Sequence, residues 1–199
     1  MDQPQKIALF DFDGTVTYKD SMFEFIKFYS GKLNFYMGAF ILSPLLILHK
    51  IKLIDSHKTK EIVLSYFLKN KNVDEVQKLA NHFSKNILPG KIKRSALEKI
   101  IQLKQDGYLI YIVSASATLW LKGWCDSLGI DLIATELEII DTKITGKILG
   151  KNCKGMEKAI RIKKQFENKN VSIELAFGDS SGDKEMLLLA NKSFYKHFN

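Results

Sequence analysis

The sequence predicts an α/β fold: a mostly parallel sheet with helices on both faces, interrupted after its first strand by a helical insert. Three observations carry that expectation. Apolar runs of strand length alternate with amphipathic helical stretches along most of the chain. The first two such runs are separated by a long segment, residues 11–107, most of which reads as helix. Three of the runs end in acidic or hydroxyl residues, and open α/β sheets bind ligands beyond the carboxyl ends of their strands.

Lys6-Ile7-Ala8-Leu9-Phe10 is a compact, mainly apolar run of the kind buried on both faces of a sheet, and it stops at Asp11-Phe12-Asp13-Gly14-Thr15. Helices are expected over 21–29, 33–48, 56–68 and 73–86, with breaks at Ser30-Gly31, Asp55-Ser56 and 70–72. A helical stretch around 91–105 leads through Asp106-Gly107 to a second core strand at 108–113. Next come a helix over 118–128 closed by Gly129, a strand at 132–134, a hairpin of 136–140 with 143–149, and a helix over 154–167. A strand at 173–177 and a helix at 181–190 complete the pattern.

With 46% hydrophobic and 26% charged residues, the 199-residue chain can bury a core, which excludes a disordered or fibrous protein. Cys125 and Cys153 are the only cysteines and stand in no paired motif, which excludes a disulfide framework and a cysteine zinc site and fits a reducing compartment. The polar start lacks the basic beginning and long apolar run of a secretion signal, so cytoplasmic residence is expected, with peripheral contact to the inner membrane face as an added alternative. Thirty Lys plus Arg against 22 acids give a net charge of +8, which suits anionic partners. No nucleic-acid recognition motif accompanies that charge, so nucleic acid is not expected as a partner.

The chemistry is concentrated at the three polar strand ends. Asp11 and Asp13 are two apart on an extended chain, so their carboxyl groups share one small space and invite a cation or a shared proton. Gly14 lets the chain turn away sharply, while Thr15 and nearby backbone N–H groups can donate to an anion. Ser114 and Ser116 follow the second strand, and Asp179 and Asp183 flank a helix-opening loop that adds oxygen ligands of the kind Mg²⁺ prefers. His49, His57, His82 and His197 are scattered and are expected to be incidental. Lys154 and Lys158 lie four apart on one helix face, so either can bring a positive charge to the site.

In this order, Asp11-Phe12-Asp13-Gly14-Thr15, Ser114-Ala115-Ser116, a helical lysine and Gly178-Asp179-Ser180-Ser181-Gly182-Asp183 resemble the four motifs of haloacid dehalogenase superfamily phosphatases. The position of the insert resembles the subgroup that contains phosphoserine phosphatase. The resemblance implies a Rossmann-like core domain of residues 1–17 and 87–199, a helical cap domain of residues 18–86, and Mg²⁺ as cofactor. It implies Asp11 as nucleophile through an aspartyl-phosphate, Asp13 as general acid and base, and Asp11, the Asp13 carbonyl, Asp179 and Asp183 around the metal. Gly14, Thr15, Asp20, Ser114, Ala115 and Ser116 would bind substrate. For the catalytic lysine, Lys154-Gly155 matches one version of the third motif and Cys153-x-Gly155-x-x-Lys158 another; Lys158 is favoured and Lys154 kept.

The substrate must be argued from the insert. Residues 19–85 hold 11 Lys against 6 acids, and residues 33–49 are 17 in a row without an acid, Lys or Arg. That stretch reads as a buried hairpin, as an apolar surface that meets membrane and lipid substrate, or as a short span carrying Pro44. It also resembles, loosely, the bacterial phosphatases of this superfamily that act on phosphatidylglycerophosphate, which share an Asp at the position of Asp20. The favoured expectation is therefore a phosphomonoester hydrolase acting on a lipid phosphate. Hydrolysis of phosphoserine or another small phosphorylated metabolite is the alternative, and a non-catalytic sensor of a phosphoryl ligand stands behind both.

Overall fold

The computed structural model describes residues 3–51 and 53–199. Strand β1 (Gln5–Phe10) runs into an insert made of α1 (Ser21–Ser30), α2 (Lys32–Ile41), α3 (Ser43–Lys50), α4 (Ser56–Leu68) and α5 (Val73–His82). The core resumes with α6 (Arg94–Gln105), β2 (Leu109–Ala117), α7 (Thr118–Leu128) and β3 (Asp131–Thr135). A hairpin of β4 (Leu137–Ile140) and β5 (Lys143–Ile148) precedes α8 (Met156–Gln165), β6 (Val171–Gly178), α9 (Lys184–Leu187) and β7 (Lys192–Tyr195).

Five strands form one parallel sheet in the order β3-β2-β1-β6-β7, so β1 is central. Side chains alternate across it. Ile7 and Leu9 join an apolar cluster with Val113, Ile162 and Met186, whereas Ala8 and Phe10 join a larger one on the opposite face. Phe10 is in register with Ile112 on one side and Phe177 on the other, which brings the ends of β1, β2 and β6 to one edge of the sheet.

The insert shares that larger cluster. Phe25 of α1 stacks on Trp120 of α7 with centroids 5.1 Å apart and meets Phe83 edge-on at 5.5 Å. Val63, Leu64 and Leu68 of α4 belong to the same buried set as Phe10 and Phe12. The hairpin braces the insert from the other side: Ile144 donates its N–H to the Lys71 carbonyl, and the N–H groups of Asn70 and Val73 donate to the Ile144 and Thr142 carbonyls. Gly146 lies against Ser65 at φ +86°, where a Cβ would meet the Ser65 Cβ at 2.9 Å. The backbone pairing thus ties β5, which lies far outside residues 18–86, to the insert.

Several elements differ from their expected form. The helix expected over 33–48 is two helices bent by 60°, because Pro44 sits in the first turn of α3 and cannot continue the hydrogen-bond ladder of α2. The helix expected over 73–86 ends at His82 and continues as a π turn, Phe83–Ile87, then a 3₁₀ turn, Leu88–Lys91. The last expected helix shrinks to the 3₁₀ turn Ser181–Asp183 and α9. Strand β7 was not expected at all: it is short and mixed in polarity, and Phe194 secures it by stacking on Phe177 at 4.7 Å.

Nor is the 33–49 stretch a buried hairpin. Helix α2 buries only Gly38 and α3 buries none of its residues, while Leu33 is 74% and Phe40 81% exposed. Among the described residues no single helix is long and apolar enough to cross a membrane; α2 and α3 reach that length only as the bent pair.

Because insert and sheet share one cluster, unfolding in urea should show a single transition by fluorescence and circular dichroism. Phe25→Ala should lower stability by about 3–5 kcal/mol without splitting that transition.

Candidate active site

The sheet edge gathers the polar strand ends. Asp11 leaves β1 with its N–H donating to the Phe177 carbonyl at 2.9 Å, which fixes it beside β6. Its Oδ1 accepts from Lys158 Nζ at 2.6 Å, and its Oδ2 accepts from the Thr15 hydroxyl at 2.9 Å. Lys158 also donates to Asp183 Oδ1 at 2.7 Å, so one fully buried ammonium is held between two buried carboxylates. The other Asp183 oxygen accepts from the N–H groups of Asp179 and Ser180 and from the Ser180 hydroxyl, which locks the loop that follows β6.

Burial pushes the Asp11 carboxyl up, to about 7, against the opposing pull of the Lys158 charge. Burial would lower Lys158, but Asp11 and Asp183 outweigh it and hold the ammonium well above the usual lysine range. Asp183 is held below the usual carboxylate range: burial acts upward, and Lys158 and the Ser180 donors more than offset it.

Asp13 faces a different set of donors. Its Oδ1 accepts from the Ser21 N–H at 2.7 Å, and its Oδ2 accepts from the Ser116 hydroxyl at 2.6 Å. Ser21 Oγ donates to Ser116 Oγ at 2.9 Å and accepts from the Trp120 ring N–H at 3.4 Å. The first residue of α1 and the end of β2 therefore orient this carboxylate together. Ser114 is fully buried, and its oxygen accepts from the Ser116 N–H at 3.0 Å.

Asp11, Asp13, Lys158 and Asp183 line a cavity of about 310 Å³ that the insert roofs. From α4, Ser56, Thr59, Lys60 and Val63 line it at the spacing of one helix face. Lys60 donates to the Ala115 carbonyl at 2.7 Å and reaches Asn152 Oδ1 at 3.4 Å, and burial lowers its pKa. Asp20 caps α1 by accepting from the Met22 and Phe23 N–H groups, and it also lines the cavity. Crowding by protein and the charge of Asp13 push its carboxyl up to about 6, although water still reaches the residue, which limits the effect. Lys154 stands at the rim, exposed, with its ammonium 3.5 Å from Ser56 Oγ. Of the two candidate lysines, only Lys158 touches Asp11.

Sequence reasoning did not single out Lys60, Asn152 or Ser21. Lys60 was visible in principle, since it shares a helix face with the inward residues Thr59 and Val63; Asn152 and Ser21 carried no pattern. Two histidines are less incidental than expected. His49 lines the cavity, and His57 Nδ1 accepts from the Asn152 N–H at 3.3 Å.

Carboxylate oxygens of Asp11, Asp179 and Asp183 lie within 4.8 Å of one another. Three hard oxygen donors carrying more negative charge than Lys158 neutralises, with no His or Cys among them, fit Mg²⁺ better than a softer ion. Gly14 makes the arrangement sterically feasible: it sits at φ +87° against Asp179, and a Cβ there would lie 2.8 Å from the Asp179 Cγ.

Similarity to known proteins agrees with this geometry. The profile of the haloacid dehalogenase-like hydrolase family matches residues 8–188. Protein CicA of Caulobacter vibrioides is 34% identical over 194 residues, covering 96% of this chain and 86% of that protein. A phosphoserine phosphatase of Methanocaldococcus jannaschii is 27% identical over 207 residues, covering 94% and 82%. A crystal structure of a Bordetella pertussis protein of unknown function superposes with a TM-score of 0.83 at 18% identity, covering 96% of this chain and 89% of that one, and shares the fold.

Asp183→Asn should leave Lys158 with a single buried counter-charge and lower stability by about 3 kcal/mol at neutral pH. A carboxyl held low in the folded state stabilises above its unfolded pKa and loses that effect as pH falls through the folded one. The difference between variant and parent in chemical denaturation should therefore be full at neutral pH and shrink only below the ordinary carboxylate range.

Proposed function

We propose that this chain, which belongs to the haloacid dehalogenase-like hydrolase family and is a phosphatase, hydrolyses the phosphate monoester of a small metabolite through an aspartyl-phosphate on Asp11. The observation that carries this reading is the small cavity at Asp11, with several charged side chains among its lining residues. It offers about 310 Å³, with Asp20, Lys60, Lys154 and His49 on its walls to meet a small, charged leaving group. The phosphoserine phosphatase from Methanocaldococcus jannaschii, similar along nearly the whole chain, supports a small substrate. The phosphatidylglycerophosphate reading rests on Asp20, which lines the cavity and suits a small ester equally, and on residues 33–49, whose large apolar residues point mostly outward rather than into the cavity.

In the first half-reaction an oxygen of the ionised Asp11 attacks phosphorus, the bond to the leaving oxygen breaks, and Asp13 gives that oxygen its proton. In the second, Asp13 takes a proton from water as the water oxygen attacks phosphorus, which frees Asp11 and inorganic phosphate. The Ser116 and Ser21 contacts keep Asp13 aimed during both transfers. Lys158 keeps Asp11 in place and spreads positive charge toward the phosphoryl oxygens, and the Ser114 hydroxyl proton is available to one of them. Asp11, Asp179, Asp183 and the Asp13 carbonyl would hold Mg²⁺, which when bound offsets the repulsion between carboxylate and phosphate. Thr15, already on Asp11 and Asp179, positions these groups.

Phosphate release with Mg²⁺ from a panel of phosphoserine, sugar phosphates, nucleotides and phosphatidylglycerophosphate in micelles tests the reading. Turnover of one or more soluble esters is expected, lost on chelation and on Asp11→Asn, and reduced about 10²–10⁴-fold by Asp13→Asn. Turnover of the lipid alone would overturn the small-metabolite assignment, and metal-independent turnover would overturn the Mg²⁺ site.

A further inference from the structure

Helices α2 and α3 are apolar on both sides, and only one side is covered. On α2, Leu33, Tyr36, Met37, Phe40 and Ile41 follow the spacing of a single helix face, and all five are more than half exposed. On α3 and its cap, Ile47, Leu48 and Ile51 continue the pattern and are also exposed. The opposite sides are occupied: Gly38 lies under Tyr66 and Phe67 of α4, while Leu46 and His49 line the catalytic cavity. Large apolar residues left exposed on two consecutive helices mark a docking surface.

The charges around it select the occupant. Lys27, Lys32, Lys50 and Lys52 are the only charged residues between Glu24 and Asp55. Lys32 opens α2 and Lys50 closes α3, both exposed, and the Lys27 ammonium lies 3.2 Å from the Tyr36 hydroxyl at the edge of the apolar stripe. Apolar residues framed by cations, with no acid among them, complement an interface that is oily beneath and negative on top. A second copy docked here by a twofold axis would set these lysines against their own kind with no acid in the face to pair them.

We propose that the outward face of α2 and α3 seats the protein on an anionic lipid surface, lying in the interface without crossing it. The site of catalysis then sits next to that surface, because α3 has one side on lipid and the other on the cavity. The inference concerns where the protein works and does not depend on which ester it hydrolyses.

The test is co-sedimentation with vesicles of phosphatidylcholine alone and of phosphatidylcholine with one quarter phosphatidylserine, at low and high salt. The account predicts binding to the anionic vesicles, weakened by salt and by omission of phosphatidylserine. Lys32→Glu/Lys50→Glu should weaken that binding by about tenfold or more, and Leu33→Ser/Phe40→Ser by at least about tenfold. Both variants should keep the parent's thermal unfolding and soluble-ester turnover, so lost binding is not lost folding. Absence of binding to anionic vesicles, or equal binding to neutral ones, overturns the proposal. So does a concentration-dependent dimer in sedimentation velocity that Leu33→Ser/Phe40→Ser dissolves, which would assign the face to a second copy.

Discussion

Everything at the catalytic edge depends on one buried ammonium. Lys158 is among the largest fully buried side chains in the protein, and a lysine in that position is tolerable only with its charge matched. Asp11 from the end of β1 and Asp183 from the turn after β6 supply the match, so a helix, the central strand and a loop are pinned to one point. The same arrangement leaves the surroundings of Asp11 net negative, with Asp179 added, and so prepared for a divalent cation. Stability and the proposed chemistry are thus linked: the group that neutralises the fold's buried acids is the one that, in the proposed reaction, neutralises a phosphoryl group.

The insert contributes more than a cover. The first residue of its first helix, Ser21, donates its N–H to Asp13 and its hydroxyl to Ser116, so the orientation of the proposed general acid depends on how α1 sits on the core. Its connections are short and tightly bonded: Thr17 bridges to Asp13 and to Ile92, and Lys93 donates its N–H to the Val16 carbonyl and its ammonium to the Gly14 carbonyl. The π turn at Phe83–Ile87 lies on the return path, and irregular turns of this kind are where a helix can yield.

Most of the core was legible in the sequence because strands buried on both faces are written as continuous apolar runs, and because Asp11 and Asp179 stand directly after β1 and β6; β2 runs past the expected end at Val113 to Ala117, so Ser114 and Ser116 lie inside its last residues. The Cys-x-Gly-x-x-Lys spacing favoured Lys158 without excluding Lys154, because both were expected on one helix face; α8 begins only at Met156, so Lys154 precedes the helix and stands exposed while Lys158 is buried between Asp11 and Asp183. Strand β7 and the attachment of β5 to the insert escaped notice for another reason. Their stability comes from partners distant in sequence, Phe177 for β7 and residues 70–73 for the hairpin. The 33–49 stretch shows the limit most clearly, because an apolar run says that water is disfavoured and leaves open what replaces it. Here part of the replacement is α4 and the cavity, and the rest is surface.

The central claim is that Asp11, held by Lys158, is the group that accepts the phosphoryl. It is tested most directly by acid-quenching the enzyme during turnover of a soluble ester, reducing any acyl-phosphate with borohydride and mapping the modified peptide. The account predicts homoserine at position 11, absent without substrate and absent in Asp11→Asn. Modification at any other residue, or none in an enzyme that is turning over under conditions that trap acyl-phosphates, would contradict it.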